Sequence, residues 1–192
     1  MVAAVGYAGF ALWLIVRRGD TLSGLILAGS VMLTATWATL AGLGAYYGGT
    51  AILWAPVAET VRNAGWTALL VVLTSSGGSF SEEARSSRAV GLMLGLVFVG
   101  QVCLDLLFPL PPGDMLQGGG ALLAVTLRLA GAIGLLLLVH NLYVAAVPSS
   151  RWGVRMLCIA LAGAIAYDLN LYTVPFLSRG LSLALRTMWG GA

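Results

Sequence analysis

Long apolar runs separated by short polar breaks are the dominant feature of this chain of 192 residues. Six runs could each form a helix that crosses a bilayer, the first only just, because an α-helix rises about 1.5 Å per residue and the hydrocarbon core is about 30 Å thick. No run shows the alternation of a strand, so helices are the predicted spanning structure. The predicted spans are residues 2–16, 22–46, 51–74, 89–108, 121–147 and 152–172.

Composition excludes a soluble domain. Hydrophobic residues make up 59% of the chain and charged residues only 9%, whereas soluble domains average about 25% charged residues. Ten arginines and seven acids give a net charge of +3, and such arginines usually lie at the cytoplasmic membrane face rather than on nucleic acid. The chain is therefore predicted to be one all-α, polytopic transmembrane domain over residues 1–192, with the lipid bilayer as its partner and no nucleic acid.

The polar breaks divide the chain clearly. A Tyr-Gly-Gly-Thr turn at 47–50 ends the second run, and residues 75–88 form one strongly polar loop. Prolines at 109–113 and the Pro-Ser-Ser-Arg segment at 148–151 end the fourth and fifth runs. Residues 175–192 are mildly amphipathic and are predicted to be a tail or an incomplete seventh helix.

Arginine is distributed unequally between the two sides of the predicted bundle. The two predicted outer loops, after the second and the fourth helix, contain no arginine, and the exception is the segment after the sixth helix, which contains Arg179. The positive-inside rule therefore places the N-terminus outside. The inside arginines are Arg17, Arg18, Arg85, Arg88, Arg151 and Arg155.

Apart from Arg155 near the inner end of the sixth span, five charged residues fall within the predicted spans, where each unpaired charge would cost several kcal/mol. They should face the bundle interior and form one network, with at least two opposite-sign pairs within about 4 Å and Arg128 as the leading partner of Asp168. Such a network either fastens the helices together or forms a polar pocket that opens outward. The five residues are Glu59, Arg62, Asp105, Arg128 and Asp168.

Signatures of catalysis are missing from the sequence. His140, the single histidine, lies beside Asn141 in an apolar run and is predicted to form an interfacial hydrogen bond. The chain has no Walker loop, no HExxH motif and no Cys/His cluster with metal-ligand spacing. We therefore predict neither a catalytic residue nor a metal site.

The stretch from Val139 to Tyr172 resembles the membrane region of the sensor histidine kinases of the PEP-CTERM/exosortase system (PrsK type). The third helix also resembles the Glu-xx-Arg-xxx-Trp helix of that family, through Glu59, Arg62, Asn63 and Trp66. His140 departs from the family pattern, which more often has an acidic residue there. The matching positions in the stretch are Leu142, Tyr143, Arg151, Trp152, Gly153, Arg155, Leu157, Cys158, Ala166, Tyr167, Asp168, Leu171 and Tyr172.

This resemblance implies the signal-sensing region of a two-component histidine kinase that regulates an envelope, exopolysaccharide and PEP-CTERM export programme. It implies a multi-pass protein of the bacterial inner membrane with a periplasmic N-terminus. A homodimer, a cytoplasmic kinase region and a response regulator are the implied partners. Residues 1–192 contain no kinase module, so ATP and magnesium would bind only to the region that is missing here.

Two other functions fit the same residues. A small transporter or channel subunit could line its substrate path with Glu59, Arg62 and Asp168. A purely structural membrane subunit needs these charges only as fasteners. The downstream reading frame separates the candidates, because a kinase region supports the sensor and a stop codon supports the others.

Overall fold

The computed structural model describes the chain over residues 2–75, 82–107, 119–146 and 151–189. These residues form six α-helices and no strand, as the apolar runs predict. In chain order the helices are α1 (Val2–Arg18), α2 (Leu22–Tyr47), α3 (Thr50–Ser75), α4 (Glu82–Leu107), α5 (Gly119–Ala145) and α6 (Arg151–Trp189).

Four segments of these helices are long and apolar enough to cross a membrane, namely Leu22–Tyr47, Arg85–Leu107, Leu122–Ala145 and Trp152–Val174. Helix α1 is outside this group because its 17 residues span only about 26 Å. Helix α3 is outside it as well, since Glu59, Arg62 and Asn63 lower its hydropathy. The length and hydropathy of the helices therefore support a membrane protein. They identify four candidate membrane spans, two fewer than the six predicted.

The connection between α1 and α2 is capped locally. The Thr21 side chain accepts a hydrogen bond from the backbone N–H of Gly24 at 3.2 Å, which satisfies one of the free donors in the first turn of α2.

The other end of α2 is a glycine turn. Gly48 ends α2 with a φ of 68°, and its N–H donates to the Gly44 carbonyl at 3.0 Å. A positive φ favours glycine, so the predicted turn at 47–50 is confirmed.

Two helices extend beyond the spans predicted within them, although the candidate spans Arg85–Leu107 and Trp152–Val174 lie within four residues of the predicted 89–108 and 152–172. Helix α4 begins at Glu82 rather than at 89, because Glu, Ala and Arg at 82–85 are strong helix formers despite their polarity. Helix α6 does not end near 172, and its helical backbone continues to Trp189. The predicted tail is thus part of α6, since one proline at 175 removes a single backbone hydrogen bond and a long helix can absorb that loss. The predicted breaks at 109–113 and 148–150 lie outside the described residues.

Helix α3 occupies the centre of the bundle. Its backbone packs against α2, α4 and α5, while α1 packs on α2 and α4 packs on α5. Helix α6 packs closely against α5, and no other described helix backbone approaches it. The position of α6 relative to α1, α2 and α3 therefore depends on side chains that reach across a gap.

The apolar core has two parts that share one tryptophan. The larger part joins α3, α4, α5 and α6 through buried side chains such as Leu70, Leu94 and Leu138. The smaller part joins α1 and α2, and Trp66 packs against both. Outside the core, apolar side chains face outward, for example Leu92 and Leu96 at 74% exposure each, which suits a lipid rather than an aqueous surround.

Candidate functional site

An ion pair joins α3 to α6 across the gap between them. Arg62 Nη2 lies 2.5 Å from Asp168 Oδ2, and the two side chains are only 9% and 14% exposed. Asn63 Oδ1 accepts from Arg62 Nε at 3.2 Å and from Nη2 at 3.0 Å, and the guanidinium carbon lies 4.2 Å from the centre of the Trp37 ring. Arg62 is therefore held by an acid, an amide and an aromatic face from three helices.

Asp168 thus has a different partner from the one predicted. The sequence analysis paired it with Arg128, and this is wrong. The error has a geometric cause, because the sequence shows the depth of each residue in the membrane but not the direction in which each helix face points. Helix α6 turns Asp168 towards α3, whereas Arg128 on α5 meets two other acids.

Arg128 is the centre of a second polar group. Its Nη2 lies 2.9 Å from Asp105 Oδ1 on α4, and its Nη1 lies 3.5 Å from Glu59 Oε2 on α3. Tyr172 on α6 completes this group, since its hydroxyl accepts from Arg128 Nη1 at 3.3 Å and donates to Glu59 Oε1. The Arg128 group therefore connects α3, α4, α5 and α6 within the bundle.

Asp105 has two further polar neighbours. Gln101 Nε2 donates to Asp105 Oδ1 at 3.0 Å, and Thr60 Oγ1 donates to Asp105 Oδ2 at 3.3 Å. Gln101 is 2% exposed, and its Oε1 is buried without a partner among the described residues. The Arg128 group also holds two carboxyl groups for one guanidinium, so in fully ionised form it would carry one net negative charge.

The predicted ion pairs are confirmed, but they form two separate groups instead of one network. Three opposite-sign pairs lie within the predicted distance, and together they use all five charged residues. Among the described residues, these contacts form two separate groups, the Arg62–Asp168 pair and the Arg128 group. Glu59 and Arg62 lie one turn apart on α3, so α3 contributes one charge to each group.

A cavity of about 530 Å³ adjoins the Arg62–Asp168 pair. Side chains of α1, α2, α3, α5 and α6 line it, and most of them are apolar. Its polar end consists of Arg62, Asn63 and Asp168, and Tyr167, which is 66% exposed, lies beside them. The expectation of a polar pocket therefore applies to one end of an otherwise apolar cavity.

Of the other residues that the sequence analysis named, Trp66 and Asn141 join neighbouring helices, whereas His140 lies at the surface. Trp66 Nε1 donates to Thr34 Oγ1 at 3.2 Å and so joins α3 to α2 beside the cavity. Asn141 Nδ2 donates to Ser87 Oγ at 3.4 Å, which joins α5 to α4 at a fully buried serine. His140 is exposed and lines a shallow groove between α5 and α6, away from both charged groups.

Sequence reasoning missed several members of the two groups, although their spacing carries a signal. Tyr172 follows Asp168 by four residues and Gln101 precedes Asp105 by four, which places each pair on one helix face. Thr60 lies beside Glu59 in the sequence. Trp37 had no such signal, because its role depends on how α2 packs on α3.

The chemistry available here is binding and charge pairing. In the part of the chain that the structure describes, no three His, Cys, Asp or Glu side chains are grouped as metal ligands would be. The two groups instead offer buried charges, hydrogen-bond donors and a phenol in an apolar surround, where such contacts are strong.

Comparison with protein-family models finds no match for this chain, and comparison with curated proteins and with solved structures finds none either.

Proposed function

We propose that this chain is the membrane-embedded sensing region of a two-component histidine kinase of the PEP-CTERM/exosortase type. In this proposal all six helices cross the bacterial inner membrane, with the N-terminus in the periplasm. Pairing of Glu59 and Arg62 with charges on other helices supports a spanning position for α3, because it offsets the cost of placing these charges in lipid. Arg17 and Arg18 in the last turn of α1 suit its cytoplasmic end.

The observation that carries the proposal is the way in which α6 is attached to α3. Within the described chain the two backbones do not pack together, and beside the apolar cluster that both helices share, the polar contacts between them are Arg62–Asp168 and Tyr172–Glu59. A joint between two separated backbones that depends on a few polar contacts can adopt two states more readily than two closely packed helices. Helix α6 is also the longest helix, at 39 residues, and so can transmit a displacement along its length.

A signal would act by changing the stability of this joint. A ligand in the cavity that contacts Arg62, Asn63 or Asp168 in one state and not in the other shifts the balance between the two positions of α6. A shift between two states needs a differential binding free energy of only a few kcal/mol. The output then passes to a cytoplasmic kinase region, which binds ATP and magnesium and phosphorylates a response regulator, with the kinase acting as a homodimer.

The test uses the intact reading frame from which this chain comes. We expect that frame to encode a kinase region after the membrane helices, and membranes that contain the full protein to autophosphorylate with ATP and magnesium. Asp168→Asn keeps the side-chain shape and removes the charge, so it should lock autophosphorylation high or low at normal protein level. The matched control is Asn170→Ala, two residues away with an exposed side chain, which should behave as the wild type.

Two outcomes would contradict different parts of the proposal. A reading frame without any kinase region would overturn the sensor. Normal autophosphorylation of Asp168→Asn at normal abundance would retain the kinase but remove the Arg62–Asp168 pair as its switch.

A second candidate is a small transporter or channel subunit. The observation in its favour is that the cavity ends at a buried ion pair, as a substrate path through a bundle would. The intact reading frame distinguishes this candidate from the sensor, because a transporter subunit needs no kinase region after its membrane helices.

A further inference from the structure

The cavity beside the Arg62–Asp168 pair lies between two halves of the bundle. Helices α1, α2 and α3 form one wall, and α5 and α6 form the other. Several wall residues of α1 and α6 are themselves exposed, namely Tyr7, Phe10, Ala160, Ala164 and Tyr167. Because the backbones of α1 and α6 do not pack together in the described chain, the cavity opens sideways between these two helices, where lipid would lie.

The walls favour a flat apolar molecule. Five aromatic side chains line the cavity, and the remaining wall consists mainly of Leu, Val, Ile and Ala. Aromatic faces stack well on a planar ring, while aliphatic walls suit a hydrocarbon chain. The aromatic residues are Tyr7, Phe10, Trp37, Trp66 and Tyr167.

The polar end has hydrogen-bonding groups to spare. Arg62 uses Nε and Nη2 for Asn63 and Asp168, and its Nη1 makes no hydrogen bond within the described residues. Asn63 uses its Oδ1 for Arg62, which leaves its Nδ2 without a described partner. Asp168 bonds through Oδ2, which leaves its Oδ1 as an acceptor. Two donors and one acceptor at the end of an apolar cavity point to a ligand with oxygen atoms at one end.

Charge restricts the ligand further. Arg62 and Asp168 neutralise each other, so an uncharged head group can bind beside them without leaving an unbalanced charge in an apolar surround. A phosphate or carboxylate head group would have to displace Asp168 from Arg62 and leave that acid unpaired. A neutral group with carbonyl or hydroxyl oxygens meets no such cost.

From these observations we infer that the cavity binds a neutral isoprenoid quinone, with its ring between the aromatic walls and a carbonyl oxygen at Arg62 and Asn63. The chain of the quinone leaves through the lateral opening between α1 and α6. The reduced form of such a ligand has hydroxyl groups, one of which could donate to Asp168 Oδ1. The inference deepens the sensor proposal by naming a ligand class, and only its signalling consequence depends on that proposal.

Binding can be tested without any kinase activity. The purified full-length protein is placed in nanodiscs of phosphatidylcholine and phosphatidylglycerol, and an azido-substituted short-chain quinone is photolysed with it. We expect labelled peptides from α1 and α6 at the cavity walls, and we expect excess decyl-quinone to suppress that labelling. Labelling spread over the outward faces of α2 and α4, or unaffected by the competitor, would overturn the inference.

Two tryptophan variants of α6 distinguish quinone binding in the cavity from quinone binding on the outer surface of the helix. Ala164→Trp fills the cavity from α6, whereas Ala166→Trp adds the same bulk to an exposed position on α6 outside the cavity. The first should abolish competed labelling and the second should leave it unchanged. Asn63→Leu should weaken quinone binding about tenfold, as expected for one lost hydrogen bond. A thermal-shift measurement on each variant identifies loss of folding, and Ala160→Phe replaces Ala164→Trp if the latter unfolds.

Two other results would overturn the quinone inference, and a third would separate it from the sensor proposal. Equal labelling of the two tryptophan variants would place the quinone outside the cavity and overturn the inference. Retention of a phospholipid in the cavity, detected by native mass spectrometry and not displaced by decyl-quinone, would overturn it as well. Quinone binding in a protein without a kinase region would retain the inference while the sensor proposal fails.

Discussion

Asp168 on α6 lies 2.5 Å from Arg62 on α3, although the backbones of α3 and α6 do not pack together in the described chain. A side-chain contact between two helices whose backbones stand apart is sensitive to single substitutions, because close backbone packing does not hold the two residues in register. The same pair borders the cavity, so occupancy of the cavity and the position of α6 are linked at one point.

The first prediction concerns the strength of this contact. Asp168→Leu leaves Arg62 buried without its acid and should lower the unfolding free energy by about 3 kcal/mol. The double exchange Arg62→Asp with Asp168→Arg should recover part of that loss, since it restores opposite charges across the gap. Unfolding by sodium dodecyl sulfate in mixed micelles measures both. Equal losses from the single and the double variants would show that the pair contributes little stability.

The second prediction concerns the unequal charges around Arg128. Glu59→Gln leaves Arg128 and Asp105 as a neutral pair, and the amide oxygen can still accept from Tyr172, so stability should fall by about 1 kcal/mol or less. Arg128→Leu leaves Glu59 and Asp105 without their cation and should cost about 3 kcal/mol or more. The same unfolding assay ranks the two. A larger loss from Glu59→Gln would contradict the central position of Arg128.

The third prediction concerns the packing of α4 on α5. A Cβ atom at Gly134 would lie 3.0 Å from Leu94 Cγ, and Leu94 is a buried core residue. Gly134→Val should therefore force the two helices apart and cost about 1–3 kcal/mol. Gly163→Val is the matched control, because the space around that helical glycine is open within 4 Å. Similar melting temperatures for the two variants would count against this close approach of α4 and α5.

The fourth prediction concerns orientation in the membrane. Reporter fusions at Ser79 and Ser149, which lie outside the described residues, should report the cytoplasm, and a fusion at Gly119 should report the periplasm. The physical reason is the concentration of arginine in the loops on one side. Alkaline phosphatase and green fluorescent protein fusions give opposite signals and control for each other. A periplasmic result at Ser79 would reverse the orientation and contradict the sensor proposal.

Much of the helical architecture could be predicted from the sequence. Apolar runs separated by Gly, Pro and Ser predicted all six helices, and the ends of α1, α2 and α3 came within two residues of the observed bounds. The start of α4 was predicted late because hydropathy marks where a helix becomes apolar, not where it begins. The helical end of α6 lies beyond its predicted span for the same reason, since its last turns are helical without being uniformly apolar, while the apolar segment itself ends at Val174.

The sequence by itself determined that the five intramembrane charges must neutralise one another, because a bilayer leaves an isolated charge no other favourable state. Only the tertiary structure decided the partners. Rotation of α6 about its axis directs Asp168 to Arg62 and Tyr172 to Glu59, and no local pattern encodes the direction in which a uniformly apolar helix faces its neighbours. The cavity has the same origin, since it exists only because α6 packs on α5 and leaves a gap to α1.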